Sequence, residues 1–454
     1  MNHTSGRGRR RIRLLLASFL LVVAAGCGSS KKATTTTVAP GATGAASTQS
    51  TAASTSSAAG AGSSSTAGGS GPGAAGMACV GSGDGKGSAI KVGSIQTDSS
   101  ASAGFPEISK GAQACFDAIN ATGGVKGHKI DFQPCNDNAD AVKGEACARD
   151  LIDAKAVAVL GGICFSCFSG PVVDVLGKAN VPYVGGLPVL PSEYKQENFL
   201  PITNAGGSAS LYANTAFILK AAKDKGVTAD VVEVNASVGE INPTLENQVK
   251  KLGANYAGRV NFDPASADLS SVAQQAIDKK PNFVSVQTDG PNTVKIVTAL
   301  RSQGYAGGIV ILGTAADPQS LAGMGAAAEG AHVAAFFPDL ANGATPDAKK
   351  YQADMKASGA DPAKTLAVTG YAAAFVTAQA LANVAGDITA ESFKAALLKL
   401  DGIKPLFNGQ LSYKNTTADF PRTFYFTAYD NIIAGGKITP TGQAFNFVTG
   451  APIG

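Results

Sequence analysis

The sequence predicts an α/β protein made of two doubly wound parallel-sheet lobes, and three observations carry that prediction. Short apolar strands alternate with helix-patterned segments through most of the chain. The alternation restarts once, after Gly206-Gly207, which calls for a second sheet. Ala156 to Leu160 is apolar at every position, as a parallel strand buried on both faces is.

The elements follow in order. Ile90 to Ile95 reads as a strand. Ile108, Ala112, Cys115, Phe116 and Ile119 then mark one face of a helix, which Gly123-Gly124 stops. Strand Lys129–Phe132, a helix opened by Asp140, strand Ala156–Leu160, a helix near 168–179 and strand Val181–Val184 complete the first series. The second series begins with helix Leu211–Lys223 and strand Val231–Val234. Helices at 242–252, 269–279 and 292–303 then alternate with strands at 257–262, 283–286 and 309–312. Ligands of open α/β sheets bind beyond the carboxyl ends of the strands. Here those ends are loops of small and hydroxyl residues: 97–104, 161–170, 185–191, 235–239, 287–291 and 313–318.

The N-terminus is of another kind. Arg7, Arg9, Arg10, Arg11 and Arg13 precede the apolar run Leu14–Ala25. That run falls short of the roughly 20 residues a spanning helix needs. Residues 1–26 therefore read as an export signal. The run ends in Ala24-Ala25-Gly26-Cys27, similar to a bacterial lipobox, in which the cysteine thiol takes a diacylglycerol. Ala24 stands where Leu is commonest. Residues 27–77, the lipidated Cys27 and an almost pure Ser, Thr, Ala and Gly stretch, have too little to bury and read as a disordered tether. About 49 residues of such coil span roughly 35–40 Å. The folded domain is expected over 78–454.

The formal charge of +4 becomes −1 once the five leader arginines are removed. Trp is absent, and no basic patch or aromatic ladder points to nucleic acid. Among catalytic motifs, G-x-S-x-G, H-E-x-x-H and G-x-x-x-x-G-K-[ST] are all missing from the folded part. Gly81 to Ser88 has a phosphate-loop look, but its spacing is wrong and it precedes the first strand. No enzyme, cofactor or metal is expected. Cys79, Cys115, Cys135, Cys147, Cys164 and Cys167 remain after Cys27, an even set in an exported chain, so disulfides are the default. Spacing leaves 15 pairings open. Cys164-Phe165-Ser166-Cys167 has redox CxxC spacing, without a thioredoxin-like context to support it. Only His128 and His332 could join thiolates at a zinc, a weaker reading still.

Several longer stretches bear a family likeness. They are IKVGSIQTDSSASAG (90–104), DAINATGGVKGHKIDF (117–132), AVAVLGGICFSCFSGPVVDVLGKANVPYVG (156–185), VNASVGE (234–240), LRSQGYAGGIVILG (300–313), GAAAEGAHV (325–333) and GYAAAFVTAQAL (370–381). On these the chain resembles the branched-chain amino acid and amide group of ABC-transporter solute-binding proteins, which have the type I periplasmic-binding fold. The resemblance implies a three-crossover hinge, with lobe 1 over about 88–204 and 337–412 and lobe 2 over about 205–336 and 413–454. It implies a monomer that closes on a small solute and docks on ABC permease subunits. A ligand-sensing module of the same fold is the alternative.

The resemblance also implies pairings and a site. Amino acid-binding relatives bridge a cysteine at the Cys164 position to the loop after the second strand, which implies Cys135–Cys164. Cys147–Cys167 and Cys79–Cys115 then follow. Relatives hold an α-carboxylate with hydroxyls and an ammonium with a Glu. The matched positions here are Phe165 (with Ser166 beside it), Val189 and, for the acid, Ala315. Pocket tyrosines fall on Phe105 and Val238. Leu187, Pro188, Gln287, Asp289 and Thr314 complete the expected ligand set. Asp289 or Asp317 could supply a carboxylate, although Asp317-Pro318 has the form of a helix cap. The Phe residues read equally well as core packing. The set implies a small, largely apolar solute such as a carboxylic acid or amide, ahead of a free branched-chain amino acid.

Overall fold

A computed structural model describes residues 79–100, 104–167, 171–188, 196–202, 207–236, 242–337, 340–341, 343–364, 366–403, 411–414 and 426–453. The export signal, Cys27 and the tether lie outside the described residues.

The first sheet is parallel throughout, in the order β2-β1-β3-β4-β5. Its strands are β1 (Gly87–Gln96), β2 (His128–Asn136), β3 (Ala158–Gly161), β4 (Tyr183–Gly185) and β5 (Phe199–Leu200). Alternate residues of each strand serve opposite layers. Ile90, Val92, Leu160 and Val184 join one core with α1 (Pro106–Ala121) and α10 (Ala367–Ala382). Ile95, Val159, Tyr183 and Phe199 join another with α2 (Ala141–Asp153) and α3 (Pro171–Lys178). Pro106 opens α1 where its missing N–H costs nothing, and Gly123 and Gly124, both at positive φ, follow the end of the helix. Asp140 caps α2 by accepting from the Lys143 N–H at 2.8 Å.

α10 is buried on all sides, and the way it meets α1 explains its composition. A Cβ on Gly111 of α1 would lie 1.9 Å from the Ala367 carbonyl oxygen, and one on Gly370 of α10 would lie 1.8 Å from that of Ile108. The two helices therefore cross backbone to backbone. α9 (Pro346–Ala357) and α11 (Ala390–Leu398) complete this layer, capped by Thr345 and by a Thr389–Ser392 capping box.

The second sheet runs β15-β14-β13-β10-β9-β8-β6-β7. Its parallel part is β6 (Asp230–Ala236), β7 (Asn255–Phe262), β8 (Phe283–Gln287), β9 (Gly308–Leu312) and β10 (His332–Ala335). α6 (Ser270–Asp278), α7 (Gly290–Ser302) and α8 (Pro318–Met324) cover one face. α4 (Gly207–Asp224) and α5 (Asn242–Lys251) cover the other. Beyond β10 the sheet turns antiparallel through β13 (Thr427–Ala434), β14 (Lys437–Asn446) and β15 (Pro452–Ile453). Gly435 and Gly436, both at positive φ, make the two-residue hairpin between β13 and β14. A short pair, β11 (Asp401–Ile403) and β12 (Leu411–Ser412), stands apart from both sheets.

The chain passes between the two sheets three times: from Ile202 to Gly207, from Phe337 to Leu340, and from Lys414 to Phe426. The first passage leaves the carboxyl end of β5. It enters α4, which leads back to the amino end of β6 and so starts at the carboxyl edge of the second sheet. β10 ends on that edge, and antiparallel β13 begins there, with Ala335 opposite Tyr429. Five residue steps reach about 17 Å at most, so the carboxyl edges of the two sheets lie close together. Phe337 packs against both cores at the second passage.

Of the three expected disulfides, one forms and two do not. Cys79–Cys115 is joined, with Cα atoms 5.2 Å apart, and ties the first described residue to α1. Closing a loop of separation 36 stabilises by about 4 kcal/mol in the chain-entropy account. Cys135 pairs with Cys147, and Cys164 with Cys167. Cys135–Cys164 and Cys147–Cys167 do not form. The reason is strand order: β1 lies between β2 and β3, with Ile95 opposite Cys135 on one side and Gly161 on the other. The end of β3, three residues before Cys164, is thus two strand spacings, about 9.6 Å, from Cys135, whereas α2 packs Cys147 against Cys135 within the roughly 7 Å a bridge tolerates. Cys147 on α2 is 5.9 Å (Cα–Cα) from Cys135, and one tight turn brings Cys164 and Cys167 to 5.2 Å.

Candidate functional site

The carboxyl edge of the first sheet presents an apolar patch. Ile108, Ile163 and Leu187 are buried together, with Phe105, Phe165 and Leu366 packed half-buried around them. Phe105 is the residue before α1, and Phe165 sits in a single 3-10 turn after β3. Their rings meet edge to face with centroids 6.0 Å apart. Buried Thr97 holds both loops: its carbonyl accepts from the Phe105 N–H at 2.9 Å and its hydroxyl from the Phe165 N–H at 3.1 Å.

Ser166 stands beside Phe165 but faces the other way. Its N–H donates to the Asp137 carboxylate at 3.0 Å, and its Oγ lies 3.3 Å from Cys164 Sγ. A Cβ on Gly144 of α2 would come within 2.3 Å of that Oγ. The hydroxyl is thus packed behind the loop, and the Cys164–Cys167 bridge closes the turn that fixes it there. Next to the patch, Asp98 accepts from Gln96 Nε2 at 2.7 Å and from Ser109 Oγ at 2.9 Å. Burial raises its carboxyl above the ordinary value, against the lowering effect of those hydrogen bonds.

The second sheet offers a polar edge. Gln287, at the end of β8, is buried, donates from Nε2 to Ser285 Oγ, and has no partner for Oε1. Asn235 on β6 donates to Glu233 Oε1 at 2.8 Å. Asp289 and Asp317, the two carboxylates of these loops, are both helix caps. Asp289 accepts from the Asn292 N–H at 2.8 Å, and Asp317 from the Gln319 and Ser320 N–H groups at 2.9 and 3.0 Å. Partial burial works against the charged form of Asp317, but the hydrogen bonds from Ser320 and Gln319 outweigh it and hold the carboxyl low.

The structure therefore brings Phe105, Phe165 and Leu187 into one patch and places Pro188 next to it. It sets Gln287, Asp289, exposed Thr314 and fully buried Ala315 at the opposite carboxyl edge. Val189 and Val238 lie outside the described residues. Ile108, Ile163 and Leu366 were not singled out from the sequence. Ile108 carried a signal, as the first apolar residue of its helix face. Among the described residues, no group of His, Cys, Asp or Glu could hold a metal ion, and no helix is long and apolar enough to cross a membrane.

No curated protein sequence matches the chain. Solved structures do. A leucine-binding protein from Thermotoga maritima is 18% identical over 77% of this chain and 97% of its own, with a TM-score of 0.60. A branched-chain amino acid transporter substrate-binding protein from Streptococcus pneumoniae, in complex with isoleucine, is 19% identical over 77% and 97%, with a TM-score of 0.62. A solute-binding protein of an ABC transporter from R. palustris, in complex with 4-hydroxybenzoate, is 20% identical over 78% and 95%, with a TM-score of 0.61. The fold is the type I periplasmic-binding fold. A family model for periplasmic binding proteins also matches residues 89–437, most of the chain. The chain belongs to the periplasmic binding protein family.

Proposed function

We propose that this protein is the lipid-anchored, extracytoplasmic receptor of an ABC uptake transporter, and that its two lobes close on a small solute with a large apolar part. The observation that carries the ligand reading is the contrast between the two carboxyl edges. Lobe 1 presents an apolar patch of Phe105, Phe165 and Leu187, and Phe165 stands at a position the resemblance matches to a carboxylate-holding hydroxyl. Lobe 2 has Ala315 at the matched acid position and spends Asp289 and Asp317 on helix caps. A buried ammonium left without a partner is costly, so an apolar acid or amide suits the site better than leucine or valine. The aromatic acid in the R. palustris structure is in keeping with this reading.

A thermal-shift screen of amino acids, aromatic and aliphatic acids and amides tests it. A true ligand at 100 times its Kd stabilises the protein by about 2.7 kcal/mol. We expect hits among acids or amides; a response confined to leucine, isoleucine and valine would overturn the ligand reading. The anchor rests on Cys27 and its small-residue flank. Cys27→Ser should yield released protein or an uncleaved precursor, because it removes the thiol that takes the diacylglycerol, and a two-chain anchor is what makes membrane attachment stable. A variant still processed and membrane-bound in cell fractionation would refute lipidation at Cys27.

A further inference from the structure

The amino edge of the lobe 2 sheet, the end away from the candidate site, carries a cluster of lysines. α4, α5 and α6 all end there, and the turns after them lead into β6, β7 and β8. Those turns form one tip. The Asn255 N–H donates to the Ala229 carbonyl at 2.8 Å, and Asn282 accepts from the Asp230 N–H at 2.7 Å and donates to the Thr228 carbonyl at 2.7 Å. Lys223 and Lys225 flank the first turn, Lys250 and Lys251 the second, and Lys279 and Lys280 the third; all six are exposed. Among the described residues only Lys250 of the six is in an ion pair, with Glu246 at 2.6 Å, while Lys225 lies 5.6 Å from the Phe283 ring centre. The aspartates of the tip are taken up by neighbours: Asp224 by Lys220, Asp230 by Asn255 and Asp278 by Gln274. The nearby arginines are committed as well. Arg259 is held by Glu233 at 2.8 Å, which also accepts from the Tyr256 hydroxyl at 3.0 Å, and Arg301 donates to the Tyr305 and Gly307 carbonyls at 2.6 and 2.9 Å.

Two further features set this tip apart from ordinary helix ends. Two residues past the ends of α4, α5 and α7 stand Gly226, Gly253 and Gly304, at φ 66°, 82° and 83°. After α6 that place is filled by Lys280, at φ 55°, a left-handed conformation that is costly for a residue with a Cβ. The residue after each glycine closes the turn and ordinarily packs inward, as buried Ala254 and Tyr305 do. Their counterpart Val227 makes the same closing bond, to the Ala222 carbonyl at 3.0 Å, yet is 46% exposed. The helix dipole favours a cation at each helix end, but it calls neither for a lysine in the left-handed region nor for an exposed valine among lysines. An anionic bilayer calls for both, since ammonium groups meet its headgroups and an apolar side chain reaches the acyl boundary. The stretch of about 49 residues between Cys27 and the domain extends to about 160 Å at most, which lets the tip reach the bilayer.

We propose that this tip is a docking surface for an anionic phospholipid bilayer. The strands of lobe 2 run from the tip to the carboxyl edge, so docking turns the candidate site away from the membrane. The proposal goes beyond the receptor reading and takes from it only the anchor. The chain has no Trp, so a single introduced one reports without background. The full chain is placed in vesicles of phosphatidylcholine alone, or of equal parts phosphatidylcholine and phosphatidylglycerol, with brominated acyl chains. Emission of the Val227→Trp chain should be quenched and blue-shifted in the mixed vesicles only, and high salt should reverse both changes, since exposed charges are screened. Leu398→Trp, exposed on α11 of lobe 1, should show neither. Added to Val227→Trp, Lys225→Glu with Lys251→Glu should abolish the quenching. Lys280→Gly should weaken it while holding or raising the Tm, because glycine suits the left-handed place; a Tm that falls would mark Lys280 as structural and count against the tip. Equal quenching in both kinds of vesicle, quenching that survives the lysine changes, or a Leu398→Trp chain quenched as strongly would overturn the docking surface. So would tip lysines shielded from acetylation by soluble polyphosphate and not by mixed vesicles, the mark of an anionic polymer as partner. A full chain that fails to float with neutral vesicles would sink the anchor reading alone, and quenching by added mixed vesicles would still uphold the tip.

Discussion

Gly370→Ala is expected to cost about 3 kcal/mol, at the upper end of what overpacking a core does. The added Cβ would meet the Ile108 carbonyl oxygen at 1.8 Å, its carbon at 2.8 Å and the Ala112 nitrogen at 3.0 Å. All three are main-chain atoms of α1, so no side chain can swing aside, and the helix itself must move. α1 carries Ile108 and follows Phe105, so the same shift would disturb the apolar patch. Gly111→Ala should behave alike from the other side. Gly177→Ala, on the outer helix α3, is the contrast: its Cβ would find only the Asn198 side chain, at 3.5 Å and beyond. That change should be neutral or stabilising, since glycine inside a helix costs about 0.5–1 kcal/mol relative to alanine. Denaturant midpoints at constant m would rank the three; equal midpoints for Gly370→Ala and Gly177→Ala would refute the backbone crossing.

Arg259→Met should cost about 3–5 kcal/mol, the usual penalty for stranding one charge of a buried pair. Glu233 is wholly buried in the middle of β6, and the Arg259 side chain is 19% exposed. Burial, and then the Glu233 charge, pushes the Tyr256 phenol above its ordinary value. Tyr256 therefore stays a donor to the carboxylate but cannot neutralise it. Adding Glu233→Gln to Arg259→Met should recover most of the loss, because the remaining amide needs no counter-charge. Thermal denaturation of the two variants checks this, and a double variant no more stable than the single one would contradict it.

Much of the fold was legible because strands such as β3 and β8 are short and apolar and alternate with helix-patterned segments. Asp140 and Asp317 were readable as helix starts from local chemistry alone, and each accepts the N–H groups expected of a cap. What the sequence hid depended on neighbours distant in the chain. The cysteine pairing turned on β1 lying between β2 and β3, which spacing does not encode. The direction of the Ser166 hydroxyl turned on Gly144, twenty-two positions earlier, leaving room for it. The β13–β14 hairpin, turned at Gly435-Gly436, was not read from the sequence, and its place beside β10 follows only from the third passage between the lobes.

The central claim is that the lobes close on a solute held between their carboxyl edges. A ligand then favours the closed state by its differential affinity for it. Small-angle scattering of the mature chain, with and without the compound that stabilises it most, measures this directly. The account expects the radius of gyration to fall on saturation, and an unchanged radius at saturating compound would contradict it.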